Sequence, residues 1–96
     1  MNAAAPDSRG FCPDRLARIR PAMQRYLDDG LYAGISTLVA RHGSIVHQEQ
    51  VGLADLETST PMKADALFRV YSMTKPIAAT VLMTLHEEGR FQLFDP

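Results

Sequence analysis

Leu16, Ile19, Met23, Tyr26 and Leu27 recur at helical spacing, with Arg15, Arg18, Arg20, Arg25 and Asp28 between them. An apolar stripe backed by charged positions predicts an amphipathic helix with one face to bury. Pro13 suits a first-turn position and Gly30 a C-terminal stop. Pro21 falls inside the pattern, where it removes a hydrogen bond and clashes with the preceding turn, so a kink or a late start is expected there. Residues 1–12, rich in small side chains, read as a flexible arm ahead of a structured portion over 13–96.

The period then changes from helical to alternating. Ile35, Thr37 and Val39 alternate with Ser36, Leu38 and Ala40; "RHGS" interrupts, and Ile45, Val46 and Val51 resume. This predicts a β-hairpin, with Gly43 supplying the positive φ of a tight turn. His42 and His47 flank that turn and read as solvent-facing hairpin residues, since no third ligand stands at metal-binding spacing. "GLADLETSTPMKADA" reads as a loop in which Asp55 and Glu57 serve as turn and hydrogen-bonding groups. "LFRVY" predicts a short strand, followed by a helix from about Ser72 to Glu88. Gly89 would end that helix and "RFQLFDP" would leave as an extended tail, with His86, Glu87 and Glu88 as solvated end groups.

Composition narrows the class without naming a function. The 96 residues are 46% hydrophobic, which suits one small globular unit. A net charge of −1 with no basic stripe argues against a nucleic-acid partner. Cys12 is the only cysteine, so an internal disulfide and a thiolate metal cluster are both excluded. The first residues carry Asp7, Arg9 and Asp14 and no apolar core segment, and no stretch approaches membrane-spanning length. A cytoplasmic location away from membranes is the expectation.

The chemistry concentrates at one place. Ser72 and Lys75 lie three residues apart at the mouth of the last helix and therefore project from one face. The start of a helix leaves backbone N–H groups unpaired and carries the positive end of the macrodipole, which favours an oxyanion. A serine hydroxyl becomes a useful nucleophile when a base takes its proton. A lysine amine serves as that base only where burial or a neighbouring charge favours its neutral form. Pro76 places the helix start at or just before Ser72, because its missing N–H is harmless only in the first turn. Ile77, Ala78, Ala79, Val81, Leu82, Met83 and Leu85 leave the helix no fully polar face, so it is expected to be buried all round with Lys75 at the edge of an interior. On its own a Ser-x-x-Lys pair is a weak signal. A capping serine followed by a solvated lysine fits the same residues.

"GLADLETSTPM" followed by "LFRVYSMTKPIAATVLMTLHEEGRFQLFDP" resembles the serine beta-lactamase-related hydrolases, a group that includes class C beta-lactamases, D-alanyl-D-alanine carboxypeptidases and family VIII carboxylesterases. The resemblance implies an α+β, beta-lactamase/transpeptidase-like fold. In such a fold the N-terminal hairpin joins a larger antiparallel sheet and helices cover the nucleophile helix. It implies that Ser72 is acylated, that Lys75 takes part in the proton transfers, and that the Ser72 N–H forms half of an oxyanion hole. The implied substrate is a small-molecule ester or amide, and neither cofactor nor metal is called for. The family's later motifs, Tyr-x-Asn or Ser-x-Asn and then Lys-Thr-Gly or His-x-Gly, do not occur here. The chain is therefore expected to be the N-terminal portion of an esterase-type serine hydrolase, completed by the C-terminal remainder of the same polypeptide and inactive alone. Beta-lactamase or peptidase activity, and a non-catalytic truncated or binding domain, stand as alternatives.

Overall fold

The structure is a computed structural model and describes residues 2–3, 5 and 9–96. It is α+β and divides into two units, Met1–Ala66 and Leu67–Pro96.

In the first unit the predicted helix is broken near its proline. A single turn, α1 (Pro13–Leu16), ends at Ala17, and α2 (Ile19–Asp28) starts afresh with Pro21 in its first turn, where an absent N–H breaks no ladder. Ile19, Ala22, Met23 and Leu27 are half-buried at the expected spacing, while Arg20, Gln24 and Arg25 are exposed. Gly30, at φ 70°, follows the helix and ends it.

The hairpin is formed by β2 (Gly34–Arg41) and β3 (Ser44–Asp55), paired antiparallel from Arg41↔Ser44 out to Gly34↔Gly52. His42 and Gly43 both have positive φ, 50° and 74°, the signature of a two-residue type I′ turn. Val39 faces His47 but Ala40 faces Ile45, so Val46 is the extra residue of a bulge. Val46 and Val51 are buried, and α2 packs against β3.

Two expectations for this unit are corrected. Residues 52–61 are not all loop: β3 continues to Asp55, and β4 (Thr60–Pro61) returns to pair with it. Asp55 Oδ1 closes the intervening turn by accepting from the Glu57 N–H at 2.9 Å and the Thr58 N–H at 3.4 Å, the turn role read for it. His47 is not solvent-facing like His42. It is half-buried, and its Nε2 lies 2.8 Å from Thr37 Oγ1 on the neighbouring strand. Near the chain start, β1 (Asn2–Ala3) pairs in parallel with Ser44–Ile45, and the Arg41 guanidinium lies over the Phe11 ring at 5.6 Å.

In the second unit no strand forms over residues 67–71. Tyr71 enters a 3-10 helix (Tyr71–Met73), which runs straight into α3 (Thr74–Glu87). Strand-forming side chains are not enough when no neighbouring strand takes up their backbone groups. The tail is not extended either: a turn closes at 92–95, with the Asp95 N–H donating to Gln92 O and the Gln92 N–H to Asp95 Oδ2. His86, expected to be solvated, is half-buried, with Nδ1 3.0 Å from Phe91 O and its ring 5.4 Å from that of Phe91.

Candidate functional site

Pro76 shapes the backbone around Ser72. A proline ring clashes with the carbonyl four residues earlier, here that of Ser72, and supplies no N–H to it. The turn that contains Ser72 is accordingly a tighter 3-10 turn, with the Met73 N–H donating to Val70 O at 3.0 Å, and regular α-helix begins only at Thr74. Ser72 thus sits within the first turn of the helical segment, as its sequence position suggested.

The two residues before the serine are unusual. Val70 lies at φ −95°, ψ 0°, in the sparsely populated bridge region, and Tyr71 has φ 47°. A left-handed conformation costs a residue with a side chain roughly 1–2 kcal/mol. Tyr71 is 80% exposed. Among the described residues the Ser72 N–H donates no backbone hydrogen bond, as is general for the first turn of a helical segment.

Lys75, the second residue of α3, lies one turn beyond Ser72 on the same face. Both side chains are exposed, and no hydrogen bond joins them among the described residues. The burial expected around Lys75 is therefore not supplied within the unit Leu67–Pro96. The same holds for the whole helix: none of its residues is buried, and Ile77 and Val81 remain 60% and 63% exposed. Thr80 and Thr84 turn their hydroxyls back onto the helix, to Pro76 O and Val81 O, leaving the α3 surface still more apolar.

The first unit contains a concavity of about 480 Å³, lined by Leu27, Asp28, Leu31, Tyr32, Leu53 and Leu56 among others. It includes neither Ser72 nor Lys75. Among the described residues no three His, Cys, Asp or Glu side chains converge as a metal site would require, and no helix is long and apolar enough to cross a membrane. Sequence reasoning missed the backbone of Tyr71. The residues that usually announce a left-handed position are Gly, Asn and Asp, and a tyrosine inside "FRVY" carries no such signal.

A family model described as beta-lactamase matches residues 19–96. The chain belongs to the beta-lactamase family. Among curated relatives, it is 37% identical to "Esterase EstB" of Burkholderia gladioli over its whole length, which is 25% of that protein. It is 31% identical to the mitochondrial serine beta-lactamase-like protein LACTB of Mus musculus, across 94% of this chain and 16% of the other. With "Penicillin-binding protein 4*" of Bacillus subtilis it shares 32% identity over 56% of this chain and 12% of the other. The chain therefore spans a quarter or less of the length of these beta-lactamase-family relatives.

Proposed function

We propose that the chain supplies the nucleophile of an esterase-type serine hydrolase. Ser72 Oγ attacks the acyl carbon of a small ester while its proton passes towards Lys75 Nζ. The tetrahedral oxyanion rests on the Ser72 N–H, and collapse expels the alcohol, which takes up the proton. Water then hydrolyses the Ser72 acyl ester, releasing a carboxylic acid and restoring the hydroxyl. Neither metal nor cofactor enters this scheme.

The supporting observation is the placement of Ser72 in the first turn of an apolar helix, with an unpaired N–H and Lys75 one turn on, in a chain of the beta-lactamase family. Similarity to an esterase along the whole chain favours an ester over a lactam or peptide substrate. In this reading α3 is covered, and Lys75 desolvated, by the remainder of a family-length polypeptide.

The test uses a fluorophosphonate probe on two preparations, the 96-residue chain and the polypeptide of the complete reading frame. Labelling at Ser72 is expected in the second and none in the first. Ser72→Ala abolishes it, and Lys75→Ala slows acylation by about 10²–10⁴-fold. Labelling that survives Ser72→Ala refutes the assignment. A second reading, in which the chain has no catalytic role, is favoured by the exposure of Lys75, and it predicts no labelling in either preparation. Hydrolysis of a chromogenic cephalosporin faster than of p-nitrophenyl esters would move the substrate class towards lactams.

A further inference from the structure

β3 has twelve residues and gives one edge to β2. The opposite edge of so long a strand is a template for another chain unless something covers it. In the strand order β1-β3-β2 the cover at the hairpin tip is β1, with Asn2 beside Ser44 and Ala3 beside Ile45. Residues 1–12 read as a flexible arm, yet the structure ties this arm to the tip from both sides. Its first residues pair with β3, and its far end sets the Phe11 ring beneath the Arg41 guanidinium of β2, 5.6 Å away. Gly10 permits the second contact: at φ 78° it carries no Cβ, and one there would stand 3.2 Å from Arg41 Nη1. Ser44, in register with Asn2, is the one buried polar residue among those described. Farther along β3 other devices appear: the bulge at Val46, the charge of Glu49, and pairing with β4 at Leu53 and Asp55. The arm is held by two register pairs and one ring contact, so of these covers it opens most readily.

One group on the strand lacks a partner. Glu49 Oε2 is shut off from solvent and makes no hydrogen bond among the described residues. Two copies of β3 meeting edge to edge about a twofold axis at Gln48 would set His47 of each opposite Glu49 of the other, on the same face. Each orphan carboxylate oxygen would then face an imidazole. That pairing needs the stretch from Ile45 to Val51, and the seated arm already occupies Ile45. We propose that the N-terminal arm is an intramolecular guard, which keeps the β3 edge from pairing with the same edge of a second copy. The proposal is independent of the chemistry assigned to Ser72.

The experiment compares the polypeptide of the complete reading frame with a variant lacking residues 2–8, folding being followed by circular dichroism. Hydrogen exchange over residues 44–46 should quicken by about tenfold or more in the deletion variant. In sedimentation velocity over a range of concentrations, its apparent dissociation constant for self-association should fall by about tenfold or more. Gln48→Lys on the deletion background should reverse that gain, because two lysines would then stand directly opposite each other. Unchanged exchange at 44–46 overturns the proposal, since the arm is then not seated there. So does a deletion variant that associates no more than the complete protein, and so does association that survives Gln48→Lys, which would place the contact elsewhere. Should the deletion variant fail to fold, Phe11→Ala takes its place. Loss of the ring beneath Arg41 should quicken exchange at 44–46 and strengthen association by about threefold, and no change in either overturns the proposal.

Discussion

Replacing Gly52 with alanine tests the packing of the first unit more directly than any other single change. Gly52 lies on β3 at φ 79°, and a Cβ there would meet Leu27 Cδ2 of α2 and Ala33 O, with Gly34 Cα at 3.0 Å. Leu27 can swing aside. The Ala33 carbonyl cannot, because it accepts the Leu53 N–H at 2.9 Å. Two effects therefore add. The left-handed backbone costs an alanine about 1–2 kcal/mol, and forcing a methyl against fixed backbone costs about 1–3 kcal/mol. The expected loss is roughly 2–5 kcal/mol, a large share of the stability of any small domain. Gly30→Ala is the control, since Gly30 has φ 70° but nothing within 4 Å of its Cβ position, so only the conformational part remains. Urea unfolding of the 96-residue chain, followed by far-UV circular dichroism, gives both values from the midpoint at unchanged slope. In thermal unfolding, each kcal/mol should lower Tm by about 4–8 °C. If Gly52→Ala is no more destabilising than Gly30→Ala, the close approach of α2, residue 33 and β3 is wrong.

Thr37→Val removes the hydroxyl facing His47 Nε2 at 2.8 Å, and should lower stability by about 0.5–1.5 kcal/mol while shifting the ring nitrogen resonances of His47 in NMR spectra; unchanged resonances would show that no such bond exists. His86→Ala removes both the contact to Phe91 O and the ring packing, so amide exchange over residues 90–96 should quicken markedly, whereas unaltered exchange would mean that the turn at 92–95 holds the tail without it.

Local patterns that carry their own physics were readable from the sequence. The i, i+3, i+4 stripe of α2, the break near Pro21 and the tight turn with Gly43 at positive φ each depend on a few adjacent residues, and the structure has all three; that His42, read as flanking the turn, is itself part of it was not foreseen. Features that depend on a distant partner were not readable. The outer part of β3 is strand because Thr60–Pro61 returns to it, and "LFRVY" is not strand because nothing does. His47 is half-buried and meets Thr37, ten residues earlier, across the hairpin. At the site, the spacing of Ser72 and Lys75 and the helix start near Ser72 that Pro76 implies were legible, whereas the 3-10 form of the first turn and the reversed backbone of Tyr71 were not. The burial expected of α3 was read from its composition, yet composition says only that a cover is needed and not which residues provide it.

If Ser72 and Lys75 act as proposed, that bare helix limits how far the pair can travel. Four residues are easily grafted onto another scaffold, but a host that presents them on a helix open to water would receive a hydroxyl and a hydrated ammonium rather than a nucleophile and its base. A designer wishing to transplant this chemistry would have to import the greasy jacket along with the signature.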